Sequence, residues 1–303
     1  MARPEVSVVI PCHNAGRFLA TALDSVLAQT FADREVLLVD DGSTDDTAER
    51  ARAYRGAVQY HHQANAGVSV ARNRGIEQSR GRYLAFLDAD DAWHPAKLER
   101  QVQALGQQRD ARASHTGLVI ADAELRPLPG PPPPPAEGRL EQLLMLGNVL
   151  SGGASSMVCE RSLFDEVGRF DPQLSLCADW EMWIRIASVT RFALVAEPLC
   201  TYRRHPQNMS RNVRLLESDS LGVLERAFAM PSLPAPLRAL RRRAFARNYM
   251  VLAGSYFGDG ALADFARCAW RAVALDWRQA GYLFGFPARV AARRGTRRRP
   301  ASA

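Results

Sequence analysis

Residues 83 to 93, YLAFLDADDAW, decide how the rest of the chain is read. Tyr83 to Leu87 have the length and apolar content of a buried strand. Asp88, Asp90 and Asp91 follow at once, with no Lys or Arg among them. In an extended segment side chains alternate faces, so Asp88 and Asp90 are expected to point the same way, about 6.5 to 7 Å apart, while Asp91 begins the turn away. Carboxylates that close repel unless a cation or hydrogen-bond donors compensate. A divalent ion is the simplest compensation, because Mg²⁺ and Mn²⁺ favour oxygen ligands and Mg²⁺ takes one or two carboxylates together with substrate phosphates. The expectation is a metal that carries a diphosphate. The alternative is a solvent-facing acidic turn that caps a helix.

Upstream, two patterns alternate. Val6 to Pro11 (VSVVIP), Glu35 to Val39 (EVLLV) and Val58 to His61 read as strands, and Phe18 to Gln29, Thr44 to Tyr54 and Val68 to Ser79 as helices, with Ser43 or Thr44 as N-cap of the second. Strand and helix alternating at this spacing predict an α/β unit with a mostly parallel sheet. Ligands of such sheets bind beyond the carboxyl ends of the strands. Three polar loops lie at such ends: Pro11 to Asn14, Asp40 to Ser43, and Asp88 to Asp91. One carboxylate of Asp40 and Asp41 is suited to a nucleobase imide or a ribose hydroxyl and the other to steadying the loop, against the simpler reading of an N-cap with a glycine turn.

Composition narrows the classes further. A chain of 303 residues with 47% hydrophobic content can bury a large core without disulfides. Its five cysteines are scattered, with no CxxC pair, and are expected to be reduced and buried. No signal peptide is visible at the start, where MARP leads directly into a strand-like run, and the longest uncharged stretch, Gln142 to Cys159, is too polar to span a bilayer. The expectation is a cytoplasmic protein, with peripheral contact at the inner membrane face. The net charge of +7 is concentrated in Arg289, Arg293, Arg294, Arg297, Arg298 and Arg299, without which the rest is nearly neutral. That tail suits an anionic membrane surface or is a solvated terminus; no aromatic residue interleaves with it after Phe286, so a nucleic-acid partner is not expected. The proline-rich stretch 128 to 138 reads as an exposed loop, and residues 212 to 303 as a helical appendage to a domain of residues 1 to 211.

Taken in order, VSVVIPCHN, LLVDDGSTDDT, NAGVSVARNRGI and YLAFLDADD resemble the successive signatures of family 2 glycosyltransferases, across about residues 5 to 205. The resemblance implies a GT-A fold, a Rossmann-like nucleotide-diphospho-sugar transferase architecture. It implies a nucleotide-sugar donor, UDP-linked by family habit, a divalent cation (Mn²⁺ or Mg²⁺), and a hydroxyl acceptor, a saccharide that is lipid-linked or free, in cell-surface polysaccharide or glycoconjugate synthesis. By the same resemblance Pro11, Asn14, Asp40, Asp41, Asn65, Gly67 and Arg72, with Asn73 beside it, hold the nucleotide. Asp88, Ala89 and Asp90 form the D-x-D that grips ribose and metal, with Asp91 and His205 as further ligands. The segment Cys177 to Trp183 resembles the one that carries the family's catalytic base, which falls on Asp179, with Glu181 as its rival and Ala178 standing where the family has an acidic residue. Gly152 and Gly153 resemble the acceptor-side loop, and Trp180 and Trp183 suit stacking on sugar or, as is commoner at this spacing, the core.

The implied reaction is inverting and non-processive: Asp179 takes a proton from the acceptor hydroxyl, and no Q-x-x-R-W signature of processive synthases follows it. Two other classes remain in view. A phosphatase or phosphotransferase of the haloacid-dehalogenase type also places D-x-D at a strand end, but Ala92 stands where Thr or Val is wanted. A binding module that has lost catalysis has Ala178 in its favour.

Overall fold

The computed structural model describes residues 3–128, 139–150 and 152–284. The proline-rich residues 129–138 and the arginine cluster beyond residue 284 lie outside the described residues. The chain divides into two compact units, Met1–Arg211 and Asn212–Ala303.

The first unit is built on a nine-stranded sheet. Its leading half alternates β1 (Val6–Cys12), α1 (Gly16–Leu27), β2 (Arg34–Asp41), α2 (Thr47–Ala51), β3 (Gln59–Gln63), α3 (Val68–Gln78) and β4 (Tyr83–Phe86). There follow β5 (Ala92–Trp93), α4 (Lys97–Gln107), β6 (Ala111–Ala121), β7 (Pro127–Leu128), α5 (Leu140–Leu146), β8 (Met157–Glu160), α6 (Ser162–Glu166), α7 (Ala178–Ala187) and β9 (Arg191–Arg203). The strand order is β3-β2-β1-β4-β8-β6-β9-β5, with β7 on β6. Every residue of β1 is buried, as a strand covered on both faces by helices requires, which is why its sequence is a continuous apolar run rather than an alternation.

The sheet is mixed rather than mostly parallel. Strands β3, β2, β1 and β4 run parallel, whereas β8 is antiparallel to both β4 and β6, and β5 is antiparallel to β9. The reversal has a use: β8 begins at the rim where β4 ends, so the turn before it, Gly153–Ser156, lies against the Asp88 loop. The periodicity gives no signal for β6 and β9, the two longest strands, because β6 carries Ser114, His115 and Thr116 fully buried and β9 is interrupted by Pro198 at a register shift. Helix α2 is shorter than Thr44 to Tyr54, and Asp46 rather than Ser43 or Thr44 stands at its start. Those two residues are committed elsewhere: Ser43 Oγ accepts from Asn14 N at 2.9 Å, and Thr44 N donates to Asn14 Oδ1 at 2.8 Å.

Helix α3 packs on β1 at Gly75, where a Cβ would lie 2.2 Å from Val9 Cγ1, with Val9 fully buried. Gly75→Ala should therefore cost about 1–3 kcal/mol through overpacking, although alanine is the better helix former. A lowered denaturation midpoint in urea, with an unchanged slope, is the expected result; an unchanged midpoint would show that the helix can shift off the strand.

The second unit is helical: α8 (Val213–Ala229), α9 (Ala235–Arg238), α10 (Arg241–Gly258), α11 (Leu262–Leu275) and α12 (Ala280–Phe284). Its core gathers Val213, Leu252, Ala253, Tyr256, Cys268 and Ala269. Arg267 closes it by donating to both oxygens of Glu217 at 2.7 Å, and Tyr256 donates to the same carboxylate at 2.5 Å. Arg267 above all, with Tyr256 assisting and burial opposing, holds the Glu217 carboxyl below its usual range. All five cysteines are buried and none forms a disulfide. Among the described residues no helix is long and apolar enough to cross a membrane.

Candidate active site

The carboxyl ends of β1, β2 and β4 form one rim, as the alternation predicts. Strand β4 stops at Phe86 and the chain turns, with Asp91 N donating to Asp88 O at 3.0 Å. The extended geometry expected of Asp88 to Asp91 is therefore lost, and the three aspartates go three ways.

Asp88 Oδ1 accepts from Arg72 Nη2 at 2.6 Å. Arg72 comes from α3, its side chain only 6% exposed, with the guanidinium 5.4 Å from the Phe170 ring centroid. Asp88 N donates to Ser155 Oγ at 3.0 Å. Asp90 Oδ2 instead meets His205 Nε2 at 2.9 Å and Asn208 Nδ2 at 3.3 Å. The His205 ring packs on Phe18, centroids 4.6 Å apart, which fixes it from α1. The Asp90 hydrogen bond raises the His205 pKa above its ordinary 6.5, against a smaller opposing effect of burial.

Asp91 departs from its expected role as a metal ligand. It is buried, its Oδ2 accepting from Ser155 Oγ at 2.6 Å and its Oδ1 from Arg203 N at 3.0 Å. Burial, then Asp90 and Asp88, push its carboxyl well above the usual range. It ties β9 and the turn before β8 beneath the loop, a positioning task. Ala89 is buried beside it. Trp93 Nε1 donates to Ser155 O at 2.7 Å, and the fully buried Lys97 amine lies 3.9 Å from the Trp93 ring centroid, so the loop rests on a packed polar layer.

The second rim loop also turns inward. Asp40 has no exposed surface; it accepts from Ser43 N at 2.8 Å and from Tyr60 OH at 2.6 Å. Asp41 is 3% exposed and accepts from Gln63 Nε2, Ala66 N and Gly67 N at 2.7, 2.9 and 2.8 Å. In this arrangement both carboxylates build the loops, and neither presents a free oxygen to a nucleotide. The last of those bonds holds Gly67 at φ 95°, a conformation that only glycine adopts without strain. Pro11 is buried in β1. The groups left at the surface are Asn14, in the left-handed region at φ 50°, Asn65, and His13, whose ring nitrogens lie 3.2 and 3.3 Å from Asn65 Nδ2. Asn73 is spent on the backbone of Phe170, at 2.8 and 2.9 Å.

Asp179 stands in the first turn of α7. Its Oδ1 accepts from Trp180 N at 2.7 Å and its Oδ2 from Asn148 Nδ2 at 2.9 Å. Burial raises its pKa above 3.8, Arg72 pulls it down, and Asp88 adds to the rise. Electrostatically, then, Asp179 belongs with the Arg72–Asp88 pair. Gly153, at φ 54°, passes so near that a Cβ there would lie 2.9 Å from Asp179 Oδ2, and Gly152 is left-handed before it. The remaining acceptor-side candidates are buried. Trp180 is 4% exposed with Nε1 on Leu143 O at 3.0 Å, and Trp183 is fully buried. Glu181 is buried and engages Arg185 through both oxygens, at 2.7 and 2.6 Å. Helix α7 is buried on every side from Trp180 to Ile184, and Asp179, in its first turn, is only half-buried.

Asn148, Ser155, Arg203 and Asn208 hold the acidic groups in place and have no local motif that marks them, since each acts across 31 to 118 residues of sequence. A groove of about 450 Å³ opens elsewhere, between the starts of β1 and β4 and the end of β8, and is lined by Arg3, Glu5, Arg82, Glu160 and Arg161, outside this constellation.

Similar proteins are known. The sequence profile described as glycosyl transferase family 2 matches residues 7–167. An uncharacterized glycosyltransferase of Rickettsia prowazekii is 29% identical over 208 residues, 67% of this chain and 64% of that protein. The match spans 31% to 64% of the length of the first four curated relatives. Among solved structures, the mannosyltransferase PcManGT from Pyrobaculum calidifontis in complex with GDP-Man and Mn²⁺ superposes with a TM-score of 0.65 at 18% identity, covering 96% of this chain and 81% of that one. S. aureus TarS 1-349 in complex with UDP-GlcNAc gives 0.61 at 13% identity, covering 91% and 92%. At such identities the likeness is one of fold, and the fold is GT-A. With the profile spanning more than half of its residues, the chain belongs to glycosyltransferase family 2.

Proposed function

We propose that the chain transfers a single sugar from a nucleoside diphosphate donor to an acceptor hydroxyl with inversion at the anomeric carbon. The observation that carries this reading is Asp179: a carboxylate oriented by Asn148 and by its own helix start, bordered by Gly153, and coupled to the Arg72–Asp88 pair. A base must reach the proton it takes, and a carboxyl raised by burial is the stronger base for it. With Asp179 activating the acceptor oxygen, direct displacement at the anomeric carbon needs no covalent intermediate on the protein.

Asp90 and His205 are the residues that would hold a divalent cation. Among the described residues no group of three or more His, Cys, Asp or Glu side chains gathers to hold a metal. One carboxylate and one imidazole 2.9 Å apart nevertheless fit an ion that takes most of its ligands from phosphates and water, and the imidazole favours Mn²⁺ over Mg²⁺. When bound, the cation supplies charge neutralisation for the departing diphosphate. Arg72 contributes a fixed positive charge at the same rim, and Asp88 keeps it extended toward it. His13, Asn14 and Asn65 offer the exposed polar groups for the nucleotide.

Neighbours of the same fold bind UDP, UDP-GlcNAc and GDP-Man. These support a nucleotide-sugar donor, of which the uridine-linked kind is our reading for this chain. The acceptor is a saccharide hydroxyl in cell-surface glycan synthesis. Membership of the family removes the phosphotransferase alternative. Ala178 is fully buried, so the exchange that favoured an inactive module alters a core position here.

The test is a panel of UDP-, GDP- and dTDP-sugars with Mn²⁺ or Mg²⁺, followed by calorimetric titration of each nucleoside diphosphate. Metal-strengthened binding of UDP, and slow UDP release from one UDP-sugar, are expected. Failure of all three diphosphates to bind with either metal would end the proposal.

A further inference from the structure

Helix α11 packs its Cys268, Ala269 and Ala272 side into the core of the second unit. Its opposite side is also apolar. Leu262, Ala263, Ala266, Trp270 and Ala274 are exposed, Leu262 at 61% and Trp270 at 72%. Trp277, just beyond the helix end, is 75% exposed. A helix apolar on both sides and open to solvent on one leaves that side to be covered by something else.

The charge around it selects what. Residues 212–303 carry sixteen arginines against six acidic residues, whereas the rest of the chain has a small acidic excess. Arg271 and Arg278, each next in sequence to one of the tryptophans, are exposed; the Arg278 guanidinium lies 6.0 Å from the Trp277 ring centroid and that of Arg271 5.5 Å from the Tyr249 ring centroid. Two copies of so basic a unit would repel each other across this face. An apolar strip with tryptophans and flanking arginines instead matches the boundary between lipid headgroups and acyl chains, where indole sits at the interface and basic side chains reach anionic headgroups. We infer that this face of α11 seats the second unit on an anionic lipid surface, with Trp270 and Trp277 as the inserted groups. The inference does not rest on the sugar-transfer reading.

The full-length protein is mixed with vesicles of phosphatidylcholine alone or with 30 mol% phosphatidylglycerol (about a third, chosen to mimic an anionic leaflet). Trp93, Trp180 and Trp183 are already buried, so a blue shift on vesicle addition, and quenching by brominated acyl chains, report on Trp270 and Trp277. Both are expected with anionic vesicles and not with neutral ones. Trp270→Ser/Trp277→Ser, at exposed positions that should not disturb folding, is expected to lower vesicle affinity by roughly tenfold or more while UDP binding is unchanged. Three results would overturn the inference: no shift with anionic vesicles, sedimentation with vesicles that the double variant retains in full, or concentration-dependent self-association that the double variant abolishes. A blue shift produced by RNA and not by anionic vesicles would reassign the face to nucleic acid and overturn it as well.

Discussion

Asp179→Asn should reduce kcat for sugar transfer by about 10² to 10⁴-fold while donor binding changes little. The substitution is nearly isosteric. The amide oxygen it introduces can still accept from Trp180 N, and Asn148, which is exposed, can turn its own amide to present oxygen to the new NH₂ group. What disappears is the lone pair that takes the acceptor's proton. The same carboxylate has its pKa raised above 3.8 by burial, with Asp88 adding and Arg72 opposing. Two consequences follow with opposite signs. Activity requires the ionised form, so kcat/KM falls as pH drops through that raised value, at a higher pH than an unperturbed aspartate would give. Stability runs the other way: a carboxyl whose folded pKa lies above its unfolded one contributes stability that is complete below pH 3.8 and is lost as pH rises through the folded value. At neutral pH the ionised Asp179 is therefore a burden on the fold, and Asp179→Asn should melt no lower than the wild type. Stopped turnover together with an unchanged or raised melting temperature is the expected pair. A variant that keeps more than about a tenth of wild-type kcat would remove Asp179 from the role of base. Glu181→Gln is the contrasting variant, since Glu181 braces Arg185 and should affect stability before rate.

The sequence made the first half of the sheet legible because β1, β2 and β4 are short apolar runs that each end in polar loops, and because helices of ordinary amphipathic spacing separate them. It also marked Asp40, Asp41, Asp88, Asp90 and Asp91 at strand ends and, through the family resemblance, Asp179 and Glu181. Their partners were not legible. Arg72 stands 16 residues from Asp88, but His205 meets Asp90 across 115 residues and Arg203 meets Asp91 across 112, distances that only the sheet order bridges. Strand alternation placed Asp88 and Asp90 on one face because it assumed extended backbone, and the turn closed by Asp91 N on Asp88 O removed that assumption. Asp40 and Asp41 show the same limit. An acidic pair at a strand end is equally good for a ligand or for orphan backbone N–H groups, and here Ser43, Ala66 and Gly67 supplied those groups. Trp180 and Glu181, one and two residues beyond Asp179, are in the core because α7 is covered on every side past its first turn, which its sequence spacing does not reveal.

Asp90→Ala should abolish the metal dependence of UDP binding, raising the apparent Kd in Mn²⁺ by at least about tenfold toward the metal-free value. The reason lies in the Asp90–His205 contact. In the absence of a cation the carboxylate holds the imidazole proton, which is why the His205 pKa lies above 6.5. A cation at this place must compete with that proton, since only the neutral imidazole and a free carboxylate oxygen can coordinate. Mn²⁺-dependent UDP binding is therefore expected to weaken as pH falls through the raised His205 value, a value higher than free histidine would show. The fold responds in the contrary sense: the His205 contribution is complete below pH 6.5 and fades as pH rises through the folded pKa. Hence metal-free protein should gain stability on mild acidification just where metal affinity is being lost. Asp90→Ala uncouples the two. Its His205 should titrate lower than in the wild type by NMR, because burial is then opposed only by the hydrogen bond to Gln207. His205→Ala distinguishes the ligand from the carboxylate: it should weaken Mn²⁺ more than Mg²⁺, as loss of a nitrogen ligand requires. No loss for either metal would leave Asp90 as the sole ligand of the two. Metal-dependent UDP binding that survives Asp90→Ala intact would move the cation to Asp88, whose release from Arg72 would then have to precede donor binding.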